Sequence, residues 1–431
     1  MSKRAISRLG TTRILAASSA LLLTAGTTQA EDLKVWSGFP EMAPFYERVA
    51  AELMQQHPDL NITVEAIPLR EHEKRVALGV SSGSAGNVII ELANSTATRY
   101  LENELFNEAP AEVADFVNGD GNYSDFFSQG AAYQGTVFGV PLFRGQGALF
   151  YNTDMFASAG LDAPPATMAE YTNYANKLTQ RDANGNPEVS GWSLRLSGGG
   201  QGIAEKFWIN MFQFGGNLVE PVGEGKWQSG VNTEAGLQAF NQYVENVHAQ
   251  KNVSVEMPAD AEAFERQQTA MFIRESWVIG DIAKKAPELN YATAPLPRGS
   301  IALAVNLYIK AEGEAEAAAW EFTQMANEPE QLNWMLENIG WLPNRANVDY
   351  SAVIEKSPAF AAFVNYPDDY EFFTLPAIGP VEEVLSRVAA ALTDAFADEG
   401  LAGNSDAQKA ILSEVDDDIN KILKREGLLA D

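Results

Sequence analysis

The chain has no cysteine among its 431 residues, which excludes disulfides, thiolate metal sites, cysteine nucleophiles and lipid attachment through Cys. Histidine is nearly as scarce. With only His57, His72 and His248, most zinc and imidazole acid–base chemistry is disfavoured. Positive charge is short as well: 30 Lys+Arg stand against 58 Asp+Glu, a formal net charge of -28. A surface this acidic repels nucleic acid and anionic lipid, so no nucleic-acid partner is expected. The acidity reads as a solvated surface and says nothing for a cationic ligand. No apolar run approaches the roughly 20 residues of a membrane span. Apolar material is nevertheless plentiful, at 46% hydrophobic and 10% aromatic, so a disordered or fibrous chain is excluded and two domains are expected.

Residues 1–30 read as a targeting segment. Lys3, Arg4, Arg8 and Arg13 precede an apolar stretch from Ile14 to Gly26, and Thr28-Gln29-Ala30 offers small residues at a cleavage site. A cleaved signal peptide and an exported protein follow as expectations.

From Glu31 the chain alternates strand and helix patterns. Leu33–Trp36 reads as a strand, Phe45, Val49 and Leu53 mark one helix face, Ile62–Ala66 alternates, Arg70–Val80 is helical, and Asn87–Leu92 is a buried strand. That order predicts right-handed crossovers, a mostly parallel sheet, and a ligand beyond the strand C-termini, here 36–39 and 91–95. Asp154 or Thr153 is expected to cap a helix. Ile301–Ile309 reads as a strand, and Val381–Leu392 and Ile411–Ile422 carry strong helical stripes.

Three motifs weaken on inspection. The glycine-rich stretch 197–202 lacks the Gly-Lys-Ser/Thr ending of a phosphate loop. Asp182-x-Asn184-x-Asn186 has calcium-loop spacing, but Pro187 replaces the needed glycine, so a hairpin turn is the better reading. Glu41, Glu91, Glu275 and Glu382 could be paired for glycoside hydrolysis, yet nothing in their spacing separates an acid from a nucleophile. A secreted glycoside hydrolase remains the rival class, and turnover of oligosaccharides would reveal it.

The order of local patterns resembles the extracellular solute-binding proteins of the maltose-binding type, receptor components of ABC sugar importers. The resemblance is carried by Trp36-Ser37-Gly38 before Phe45–Leu53 and His57-Pro58, and by Phe138-Gly139-Val140-Pro141 leading to Ala148–Phe156. Gly160-Leu161 with Pro164-Pro165, Ala270–Ile273 before Ser276-Trp277, Ala317–Phe322, and Gly340–Arg345 continue it. It implies an α/β fold of two lobes, each a mostly parallel sheet flanked by helices, with the ligand cleft between them. The N-terminal lobe would comprise 31–142 plus 296–344 and the C-terminal lobe 143–295 plus 345–431, with hinge strands at 141–144 and 294–297. It further implies a periplasmic monomer that carries a carbohydrate to inner-membrane ABC permease subunits, without a cofactor, metal or catalytic residue.

Trp36, Trp208, Trp277 and Trp341 are expected at the cleft, because aromatic faces stack on the apolar C–H faces of sugars. The bland alternative for each is core packing. Ser37, Phe39, Glu41, Asn94, Ser95, Gln146, Glu275 and Asn306 complete the expected contacts. Arg70, Arg144, Arg195 and Arg274 also fall on cleft-facing segments. They would hold an anionic sugar through paired hydrogen bonds unless acidic neighbours such as Glu71 and Glu275 claim them.

Overall fold

The computed structural model describes residues 31–196 and 200–430. The expected signal peptide, and Ser197–Gly199 of the glycine-rich stretch, lie outside the described residues. The opening units are β1 (Glu31–Ser37), α1 (Ala43–Gln56), β2 (Leu60–Ala66), α2 (Leu69–Ser81), β3 (Val88–Ala93) and α3 (Asn94–Leu101). β1 pairs in parallel with both β2 and β3, so the crossovers follow the sequence pattern. Phe45, Tyr46, Val49 and Leu53 are fully buried on α1, as their helical spacing requires.

Two long strands then organise the molecule: β4 (Gly139–Asn152) and, further along the chain, Gly299–Lys310. Between these strands come α4 (Gln201–Gln213), β5 (Met271–Glu275) and α5 (Trp277–Lys285), and the later strand is β6. The sheet runs β5-β4-β6-β3-β1-β2. Along β4, residues 139–146 pair with β6, while 147–151 pair with β5. Each long strand therefore begins in one lobe and ends in the other. Along β6 the partners change likewise: Gly299–Ile301 pairs with Glu371–Phe373, Ala302–Tyr308 with β4, and Val305–Lys310 with β3. Tyr291–Ala294, near the expected hinge at 294–297, still pairs with the far end of β4. The sheet is also less parallel than expected, because β4, β5 and β6 are mutually antiparallel or antiparallel to β3.

One hydrophobic core surrounds α1, β1 and Trp320. Another lies under α4, α6 (Val381–Ala395) and α7 (Ser405–Arg425). The stripes Val381–Leu392 and Leu412–Ile422 are buried there. Asn152, rather than Thr153 or Asp154, caps its helix by accepting from the Met155 amide. Residues 180–189 form a short antiparallel hairpin, with Asp182 Oδ1 accepting from the Asn184 and Asn186 amides.

Candidate functional site between the lobes

The turn leaving β1 forms the N-terminal wall. Ser37 is buried, and its hydroxyl donates to Glu91 Oε1 at 3.0 Å, as does the Gly38 amide. Half-buried Phe39 sets its ring edge against Phe143 (5.4 Å) and Trp341 (5.3 Å). Glu41, in the following short turn, accepts from Trp341 Nε1 at 3.3 Å. Burial raises the Glu41 carboxyl above its ordinary range, against the pull of its hydrogen bonds. Trp341 itself is buried, 6.5 Å from Trp277 between ring centroids.

The C-terminal wall is charged. β5 ends in Arg274 and Glu275, and Glu275 accepts from Lys206 Nζ of α4 at 2.7 Å. Arg274 Nε lies 3.4 Å from Glu275 Oε2 and 3.7 Å from Asp260 Oδ1. Its guanidinium covers the Trp277 ring at 5.2 Å. Trp277, partly exposed like Phe39, opens α5. Burial would raise the Glu275 carboxyl, but Arg274 and then Lys206 hold it well below the usual carboxylate range. Burial also lowers the Lys206 ammonium, which Glu275 only partly restores. Arg195 reaches this wall from a residue at φ +52, a sparsely populated conformation for a side chain of its size. Its guanidinium packs so tightly on α4 that a Cβ at Gly202 would come within 2.6 Å of it.

Polar contacts join the walls. Arg70 of α2 lies 3.5 Å from Glu205 of α4, and Arg99 of α3 lies 3.1 Å from Glu382 of α6. On the C-terminal side itself, Gln201 Nε2 donates to the Glu382 carbonyl at 3.2 Å and links α4 to α6. A cavity of about 540 Å³ opens elsewhere, at the outer end of the N-terminal lobe beside Asn87, Phe106 and Lys310, with no residue of this cluster in its lining.

Several expected contacts lie away from the cleft surface. Trp36 is 6% exposed, sandwiched between Gly79 and the Arg75 guanidinium inside the N-terminal lobe. Trp208 is 1% exposed, because α4 begins at Gln201 and its second turn faces the core, where the ring stacks on Phe373 and donates to Asn217. These two placements correct the sequence reading: strand ends and helix starts were right to within a few residues, but side-chain direction was not. Asn306 is fully buried and holds the Gly130 carbonyl and the Tyr308 hydroxyl. Asn94 and Ser95 are buried at the start of α3, with the Asn94 amide group packed on Gly130. Arg144 donates to Gln146 and to the Pro343 carbonyl, and Gln146 donates to the Phe363 carbonyl, so both tie the crossing strands together.

The sequence reading missed Lys206 and Asp260. A lysine directly before the apolar run Phe207-Trp208-Ile209 in a largely apolar helix was the available signal, since a buried charge there must find a partner.

Two lobes sharing long strands, with a polar and aromatic cleft beside the shared strands, define a two-lobe binding protein. The chain belongs to the family of bacterial extracellular solute-binding proteins, whose family model matches residues 48–362. It is similar to a binding protein of Brucella abortus, 22% identical over 375 residues covering 83% of this chain and 86% of that one. It is also similar to the sn-glycerol-3-phosphate-binding periplasmic protein of Pectobacterium atrosepticum, 23% identical over 362 residues and covering 75% of each. An ABC transporter solute-binding protein from Thermotoga lettingae, solved bound with α-D-tagatose, shares the fold at TM-score 0.77 and 16% identity, across 91% of this chain and 100% of that one. The family and these relatives are binding proteins, and none of them supports the glycoside hydrolase alternative. The four acids considered for hydrolysis are otherwise engaged: Glu41 with Trp341, Glu91 under the β1 turn, Glu275 with Lys206 and Glu382 with Arg99.

Proposed function

We propose that this protein is a monomeric periplasmic receptor for a carbohydrate or sugar derivative, exported by its N-terminal segment. It would hand the solute to inner-membrane ABC permease subunits. The observation that carries this reading is the meeting of a partly exposed Trp277 with a mixed set of donors and acceptors at one point of the cleft. An aromatic face suits the C–H side of a sugar ring, and paired arginine, lysine and carboxylate groups suit hydroxyls that both donate and accept. The Pectobacterium relative and the tagatose-bound structure support a small polyhydroxylated solute. The pairing favours a neutral sugar over an anion. Arg70 is engaged by Glu73 and Glu205, Arg274 by Glu275 and Asp260, and Arg144 by the hinge. A bound solute would bridge the walls and shift an open–closed equilibrium.

A thermal-shift screen of mono- and oligosaccharides, each neutral sugar beside its uronic acid, tests the reading. A stabilising sugar should also reduce the radius of gyration in X-ray scattering, and Trp277→Ala should weaken its binding by about 1–3 kcal/mol. Released product would favour the hydrolase instead. An unchanged scattering curve at saturation would remove hinge closure. A strong uronate preference would overturn the neutral-sugar reading.

A further inference from the structure

A carboxyl group outside the cleft surface governs one wall of it. Glu91 is 1% exposed in the middle of β3, and three other elements converge on it. From the β1 turn, the Ser37 hydroxyl and the Gly38 amide both donate to Oε1. From α1, the Tyr46 hydroxyl donates to Oε2. From α2, His72 Nε2 lies 2.7 Å from the Glu91 carbonyl, while Arg75 lies 3.1 Å from His72 Nδ1. Because the Arg75 guanidinium can only donate, His72 is the neutral Nε2–H tautomer, and burial lowers its pKa to about 4. The other charged group bearing on Glu91 is Glu41, at the end of the same turn.

The turn that Glu91 holds is the one that carries Phe39 and Glu41. Ser37 Oγ also accepts from the Phe39 amide at 3.1 Å, so the hydroxyl links the carboxyl to the residue facing Trp341. Gly38 has no space for a side chain, since a Cβ would come within 2.8 Å of Leu69 Cδ1. The turn is therefore held by hydrogen bonds and close packing together, with no cation within ion-pair distance of Glu91 among the described residues.

We propose that Glu91 is a positioning residue for the ligand-facing turn Ser37–Glu41, and that gain or loss of its proton resets the Phe39–Glu41–Trp341 contact. An ionised Glu91 accepts from all three donors. A protonated one must donate a hydrogen itself, and the acceptor within reach at Oε2 is the Tyr46 hydroxyl, whose own hydrogen must then turn away. At Oε1 the hold on Ser37 and Gly38 weakens with the loss of charge. Burial pushes the Glu91 carboxyl up to about 8, against the pull of Tyr46, Gly38 and Ser37, which places the change near neutral pH. The proposal concerns the unliganded wall and does not depend on which solute the cleft takes.

Two NMR signals in the full chain, recorded without any solute from pH 6 to 10, test this. One is the Gly38 amide proton, which reports the hydrogen bond to Glu91. The other is the fluorine resonance of 5-fluorotryptophan at position 341, assigned with Trp341→Phe, which reports the wall. Both should shift with one shared midpoint near pH 8, and both steps should vanish in Glu91→Gln. Any step at lower pH that survives in Glu91→Gln belongs to Glu41. Tyr46→Phe removes one donor to the anion and should move the shared midpoint upward, which keeps the test decisive if Glu91→Gln folds poorly. A Gly38 step without a matching Trp341 step would reduce Glu91 to a structural residue and overturn the proposal. So would the absence of any step between pH 6 and 10, or an unmoved midpoint in Tyr46→Phe.

Discussion

Each wall of the cleft rests on a buried carboxylate, and the two are solved in opposite ways. Glu91 is surrounded by neutral donors, and burial wins: its carboxyl is pushed up to about 8. Glu275 is less deeply buried, its side chain 18% accessible against 1% for Glu91, and Arg274 and Lys206 outweigh what burial remains and hold it well below the carboxylate range. Hydrogen bonds from neutral groups soften desolvation, whereas adjacent cations reverse it. The N-terminal wall is thus a neutral, packed surface that can change its proton content, and the C-terminal wall is a permanently charged one. Their stability should slope with pH in opposite directions. The Glu275 contribution is present above the ordinary carboxyl range and lost as pH falls through its depressed value. The Glu91 contribution is fully present below the ordinary value of 4.5 and lost as pH rises through about 8.

The comparison breaks most visibly at Lys206. Replacing it with methionine leaves Glu275 buried with Arg274 as its remaining close cation. Lys206→Met should cost about 3–5 kcal/mol in urea unfolding at pH 7, the usual penalty for stranding one member of a buried pair. Adding Glu275→Met should recover most of that loss, because the stranded charge goes with it. A cost below about 1 kcal/mol would mean that Glu275 is effectively solvated and that the contrast with Glu91 is one of exposure alone.

The next test sharpens the other side. Glu91→Gln keeps the shape of the side chain and removes its titration. The variant's stability relative to the parent should therefore rise with pH, by about 2–4 kcal/mol between pH 5 and pH 9. Thermal melts of both proteins at each pH isolate this difference, since His72 and all other groups titrate in both. A gap that stays constant with pH would show that Glu91 keeps an ordinary carboxyl value in the fold.

These two carboxylates also show what the sequence can carry. Strand and helix order is legible because burial leaves its mark on the sequence: α1, α6 and α7 follow from helical spacing, and β3 from its continuous apolar run. The expected cleft position came from the rule that parallel strands open ligand sites at their C-termini, which pointed to 36–39 and 91–95; Glu275 ends the antiparallel β5, to which that rule does not apply. Side-chain direction is not legible near element ends. Trp36 and Trp208 sit within one turn of the expected surface and point inward, because one residue's rotation about a strand or helix exchanges solvent for core. The partners of these cations were hidden for a different reason. Arg70 meets Glu205, Arg99 meets Glu382 and Lys206 meets Glu275 across sequence separations that no local pattern encodes. Antiparallel pairing of β4 and β6 was hidden likewise, since a strand buried on both faces looks the same in either direction.

The smallest expected effect tests whether the two walls touch through charge. Arg99 and Glu382 are each partly exposed, with side chains 36% and 25% accessible, so their pairing is worth only about 0.2–1 kcal/mol. In the proposed equilibrium between open and closed lobes, 0.2–1 kcal/mol would change a population ratio by roughly 1.4- to 5-fold. Glu382→Gln removes the charge and keeps the backbone carbonyl that accepts from Gln201. Glu383, next in the chain, pairs with Arg425 on the outer side and is untouched. In low salt, the unliganded variant should scatter X-rays as a slightly more open molecule than the parent. In 1 M salt, where the screening length falls to about 3 Å, the parent should open to match it. Identical scattering of parent and variant in low salt would show that Arg99 and Glu382 do not draw the lobes together, and would leave Arg70 with Glu205 as the charged contact between the walls still to be tested.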